Sequence, residues 1–235
     1  MSEPSNPNEN DRSIGWLICI AALPAWAGLL LAFVYLLYFP PKRYSSVKDR
    51  DVFLEQKGDV GIQPGELYYF AGGVARGREW QPKLAVFLKG GNTTLEMTAD
   101  ELNACIASML RPPSRPPAAD AGNLTIVPKM PNVFVDEGEG IYFSLPADVS
   151  LFGSQRKLMV FARGHFTPGP DVRFKLETLY LNSAAVPVVG GLADRVLASL
   201  LKGYLQSEQF TAFRQAWAKV ESVEVVANTL RLKLQ

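Results

Sequence analysis

Histidine is almost missing from this sequence: His165 is the only one in 235 residues, and cysteine occurs only at Cys19 and Cys105. A histidine-rich metal site is therefore excluded, and any Ser-His or Cys-His mechanism would have to run through one imidazole. Cys19 lies inside an apolar N-terminal run, so Cys105 stands alone in the rest of the chain and no disulfide forms within it. An excess of charge is also lacking, with 24 Lys+Arg against 23 Asp+Glu and no basic stretch, so nucleic acid is not an expected partner. The glycine-rich "AGGVARG" (71–77) has no GxxxxGK[ST] pattern, and no GxGxxG opens a helix, so no nucleotide cofactor is expected. The acidic "DEGEG" (136–140) lacks the twelve-residue spacing of a calcium loop and reads as a tight turn.

The longest feature present is the uncharged run Ile14–Phe39. Crossing a bilayer takes about 20 apolar residues, so the run is expected to form a single transmembrane helix, with Trp16 near one end and Tyr35, Tyr38 and Phe39 near the other. A cleaved signal peptide is the rival. The residues before the run are acidic rather than basic, and the run is longer than a signal core. Residues 1–13 are expected to be a disordered tail, 40–52 a polar stalk, and 53–235 a single α+β domain. Arg12 precedes the run, whereas Lys42, Arg43, Lys48 and Arg50 follow it. The positive-inside rule would leave the domain in the cytoplasm, but it weakens for long domains.

Within the domain, "YYFAGG" suggests a short strand. "KLAVFLKGGNTTLEM" suggests strands over 84–88 and 93–97 joined by a hairpin at Gly90-Gly91. In "EMTADELNACIAS", Thr98 and Glu101 have the S/T-x-x-E spacing of a capping box. Asp100 suits the first turn of a helix, and Leu102, Cys105, Ile106, Met109 and Leu110 share one helical face. The acids beside Cys105 are therefore read as helix-start chemistry, and the cysteine as buried. "RPPSRPP" (111–117) ends that helix. Strands follow in "NLTIV", "NVFVD", "GIYFSLPADV", "RKLMVFARGHF" and "DVRFKLETLYLNSAAVPVV". In 172–182 alternation puts Val172, Phe174, Leu176, Thr178, Tyr180 and Asn182 on one face, and the other face turns apolar at Leu179 and Leu181. "GLADRVLASLLKGYL" (191–205) reads as an amphipathic helix covering the sheet. A shorter helix capped by Ser207 and two short strands around Asn228-Thr229 close the chain. His165 alternates with apolar neighbours and reads as a strand histidine. Asn92-Thr93-Thr94 and Asn123-Leu124-Thr125 match the glycosylation sequon, a frequent chance pattern.

The order of "LEMTADELNACI", "VFARGHF", "LNSAAVPVVGGLADRVLASLL" and "VESVEVVANTLRLKL" over roughly 84–235 resembles single-anchor bacterial envelope proteins of the YpmS and YceB type. These are similar to the TULIP-like lipid-binding superfamily. Thr98, Glu101, Leu102 and Asn103 carry the resemblance, with Pro187 a weaker element. It implies lipid contact or envelope upkeep, a domain outside the cytoplasm, and no reaction.

The combined expectation is an α+β fold: an N-terminal transmembrane helix, then a long, curved antiparallel sheet packed by two or three helices. The expected function is non-catalytic, binding or shielding a lipid or other apolar ligand in the envelope, or acting as an envelope scaffold. The lipid bilayer, a lipid ligand and an envelope protein are the expected partners. The candidate lining of an apolar tunnel is Phe174, Leu176, Tyr180, Leu197, Leu200, Leu201 and Tyr204; a solid core is the alternative. A rival function is a membrane-tethered protein-interaction module, on either side of the membrane. An enzyme built on Cys105 or His165 is a third, and it requires one of them exposed in a cleft.

Overall fold

In the computed structural model the described residues are 8–58, 66–110, 124–151, 154–167, 172–205 and 208–235. Helix α1 (Asn8–Leu36) opens the chain, followed by strand β1 (Lys42–Tyr44), helix α2 (Val47–Lys57) and strand β2 (Tyr68–Phe70). Next come α3 (Trp80–Lys89), β3 (Thr93–Thr98) and α4 (Ala99–Met109). Strands β4 (Leu124–Pro128), β5 (Asn132–Asp136), β6 (Gly140–Leu151), β7 (Ser154–Phe166), β8 (Phe174–Leu181) and β9 (Ala184–Val186) build the main sheet. Helices α5 (Leu192–Leu205) and α6 (Glu208–Trp217) lead to the closing hairpin β10 (Val220–Val226) and β11 (Thr229–Leu234).

The transmembrane helix expected over 14–39 is overturned: among the described residues no helix is long and apolar enough to cross a membrane. Helix α1 takes in the charged residues Glu9, Asp11 and Arg12 at one end and holds Pro24 in its interior. At the other end it stops at Leu36, and the next three residues turn onto the sheet. There Asn182 Nδ2 donates to the Leu37 carbonyl and Ser183 Oγ to the Phe39 carbonyl. The apolar run is thus divided between a helix and a docking segment. Residues 8–13, expected to be disordered, are its first turns, and the expected stalk 40–52 folds as β1 and the start of α2. The fold remains α+β, with five α-helices after α1 among the described residues instead of two or three.

Three sheets organise the chain. β1 and β2 pair in parallel, β11 lies between β10 and β3, and the six-stranded sheet has the order β4-β6-β7-β8-β9 with β5 also paired to β6. β4 and β5 lie end to end along one edge of β6, which they meet at residues 147–151 and 140–144 respectively. Pro146 falls at the gap. Its carbonyl faces that edge and accepts from Lys129 N, so its missing amide leaves no ladder partner unmet.

The first expected hairpin strand, 84–88, is helical, whereas 93–97 is the strand β3. Trp80, Leu84 and Phe87 recur at i, i+4 and i+7, and the first glycine of Gly90-Gly91 caps the helix at φ 73°. In β8 a bulge breaks the alternation expected across 172–182. Gly164 pairs with Leu176 but Arg163 with Thr178, leaving Glu177 as the extra residue. Phe174, Leu176, Leu179 and Leu181 therefore share the face that α5 covers, and Tyr180 is turned to the other side. The apparent switch to apolar residues is a one-residue register change. Gly164 sits where a side chain has no room: a Cβ there would lie 2.2 Å from the Lys175 carbonyl oxygen and 2.7 Å from the Phe174 ring.

Three apolar clusters result. One lies between the three-stranded sheet and α3, α4 and α6; a second between the six-stranded sheet and α5; the third packs Tyr69 and Ala71 on Phe161, across the sheet from α5. The closing turn is at Ala227-Asn228, both at positive φ (48° and 65°), one residue earlier than expected. Ser207, 111–117 and Asn123 lie outside the described residues.

Candidate apolar ligand site

The first cluster borders a half-open cavity of about 300 Å³ lined by hydrocarbon, aromatic or sulfur-bearing side chains. Each wall follows from a local period. Helix α4 turns Leu102, Cys105, Ile106 and Met109 inward at i, i+3, i+4 and i+7, and α3 adds Leu84 and Phe87. Alternation supplies Met97 from β3, Val133 and Val135 from β5, Ile141 and Phe143 from β6, and Leu230 and Leu232 from β11. Leu197 and Leu201 of α5 close one side. At the far end stand Phe166 and Phe174, with their centroids 5.4 Å apart, beside Phe213 and Trp217 of α6, stacked at 5.9 Å.

The start of α4 positions most of this lining. Thr98 Oγ1 accepts from Glu101 N, and Glu101 Oε2 accepts from Thr98 N, completing the capping box. Glu101 also receives Lys83 Nζ at 2.6 Å, which ties α3 to α4. Burial by itself would raise the Glu101 carboxyl, but the bonds from Lys83 and Thr98 outweigh it and hold the pKa below the usual value. Asn103, 2 % exposed, donates to the carbonyls of Gly73 and Val133 and accepts from Val133 N, fastening α4 to β5. Of these contacts, sequence reasoning reached the Thr98–Glu101 capping box.

Two clefts adjoin the cavity. One of about 190 Å³ shares Ile106, Met109, Phe143, Leu201 and Phe213 with it and adds Tyr204 and Phe210. The other, about 370 Å³, is walled by Phe166, Phe174, Phe210, Phe213 and Trp217, with Arg214 at its edge.

Of the expected lining, Phe174, Leu197 and Leu201 border the main cavity. Leu176 is buried in the second cluster, where Leu200 packs against it, and neither reaches the cavity. Tyr204 borders the smaller cleft, and its hydroxyl donates to the Lys129 carbonyl; burial pushes its pKa up to about 12. Tyr180 is on the opposite face, stacked on Phe161 at 4.9 Å. Sequence reasoning missed α3, β5 and β11 as walls, because only the tertiary fold brings them together.

Cys105 and His165 are not brought together. Cys105 borders the cavity at 3 % exposure, and burial, with the Glu101 carboxylate adding to it, pushes the thiol up to about 11. Its thiolate is therefore scarce at neutral pH. His165 lies on the other face of the sheet, where Nδ1 is 2.8 Å from Glu177 Oε1 in the open. The "DEGEG" turn is held by Asp136 Oδ1, which accepts from Gly138 N and Glu139 N, and no group of potential metal ligands occurs among the described residues.

No protein-family model matches the chain, and neither curated proteins nor solved structures return a match.

Proposed function

We propose that this protein binds an apolar ligand in the cavity between α4, α5, α6 and β11, without catalysing a reaction on it. One observation carries the reading: a cavity of about 300 Å³ bordered almost wholly by apolar surface. Ligand pockets begin at about 300 Å³. The cavity is half open, and apolar surface left facing water there forgoes about 25 cal/mol per Å². A typical domain is stable by only about 5–15 kcal/mol in all. An aliphatic occupant offsets that cost, whereas water would find few partners for its hydrogen bonds. The expectation of lipid contact that came with the envelope-protein resemblance agrees with this chemistry.

The test is native mass spectrometry of the purified full-length chain and of Leu201→Trp, whose indole would fill the cavity. The reading expects a stoichiometric lipid-sized adduct on the wild type and its loss from the variant, with a similar unfolding midpoint. A wild type that carries no adduct and takes up no added stearate overturns it, and a stoichiometric protein partner found instead would favour the interaction-module function.

A further inference from the structure

Resting on that reading, we infer that the ligand is a single-chain amphiphile with an anionic head, inserted tail first, and that Arg214 holds the head at the mouth. The cavity border is almost wholly apolar and carries no charged side chain, so the charged end of a ligand belongs outside it. The outer cleft shares Phe166, Phe174, Phe213 and Trp217 with the cavity, so these rings are a common wall between inside and outside. The only charged residue bordering that cleft among the described residues is Arg214, which is exposed and in the last turn of α6.

Its guanidinium has no ion-pair or hydrogen-bond partner among the described residues. That contrasts with the other surface cations near carboxylates: Arg231 with Glu96, Lys233 with Glu221, Lys129 with Asp148. A planar guanidinium is suited to bidentate contact with a carboxylate or a phosphate. Both heads share this chemistry, one from a free fatty acid and the other from a monoacyl glycerol phosphate. An uncharged or cationic head gains nothing at Arg214.

The experiment titrates the full-length chain with brominated stearate, its methyl ester and a monoacyl glycerol phosphate, reading quenching of Trp217, which borders both chambers. Trp217→Phe supplies the background from the other three tryptophans. Wild type is expected to hold stearate about tenfold more tightly than the ester. Arg214→Gln should bring stearate down to the ester's level, leave the ester unchanged, and remove most of the salt dependence; Arg214→Lys should recover part of the preference. Displacement of brominated stearate by the acyl phosphate at lower concentration than by unlabelled stearate assigns the head as phosphate, and the reverse order as carboxylate. Equal affinity for acid and ester, or an Arg214→Gln variant that weakens both alike, overturns the inference and leaves the cavity reading standing. If neither acid nor ester quenches Trp217, both fall together.

Discussion

Gly164, Glu101 and Cys105 show how much single side chains decide here. Gly164→Ala would drive a Cβ into the Lys175 carbonyl and the Phe174 ring, so the variant should lose about 1–3 kcal/mol or more in urea unfolding. Phe174 would shift with it, and ligand binding should fall too. Glu101 has a depressed folded pKa, so its contribution is fully present above its unfolded value of 4.5 and is lost as acid protonates the folded carboxylate. Wild type should therefore lose more stability than Glu101→Gln as the pH falls from about 5 to about 3. Lys83 is one-third exposed, so the difference should be about 1 kcal/mol, not the value of a dry ion pair. Cys105 should react slowly with a water-soluble maleimide at neutral pH and faster only as the pH nears about 11. At this scale the sequence was most legible: Thr98 to Glu101 spans four residues, and a capping box needs nothing beyond them.

Elements were legible where their period ran long enough. Helix α5 and strands β6 and β7 show it over ten residues or more. The run "KLAVFL" is too short to tell a buried strand from a helix, and the decisive Trp80 lay upstream of it, in a stretch that reads as irregular. The β8 bulge had no sequence mark: one extra residue, Glu177, moves Tyr180 away from Phe174 without changing composition. Asn103 joins two elements, and its truncation leaves two carbonyls and one amide without their side-chain partner. Asn103→Ala should cost about 2–4 kcal/mol by urea unfolding. Asn103→Asp should fail as well, because a carboxylate cannot donate to Gly73 and Val133.

Over the whole molecule, the cavity was the least legible feature, because its walls come from eight or more elements between Leu84 and Leu232 that meet only after folding. A packed core and a lined cavity use the same residue types, so composition does not separate them. The apolar N-terminal run misled at this scale. Its hydrophobicity was plain, but the role of Asn182 and Ser183 in holding its last residues was not, since more than 140 positions intervene. Asn182 has φ 51° and also bonds Met159 through its amide oxygen. Asn182→Gly keeps the turn while removing both side-chain bonds. It should raise amide exchange near Leu37–Phe39 by about tenfold or more while leaving the β6–β7 ladder protected.

Those ties to α1 run from side chains to main-chain carbonyls, and this makes the joint indifferent to what residues 37 and 39 are. Leu37 and Phe39 can therefore be replaced without losing either bond, whereas Asn182 and Ser183 cannot, so the socket rather than the plug carries the attachment. A foreign helix spliced on at Leu36 should seat in the same place.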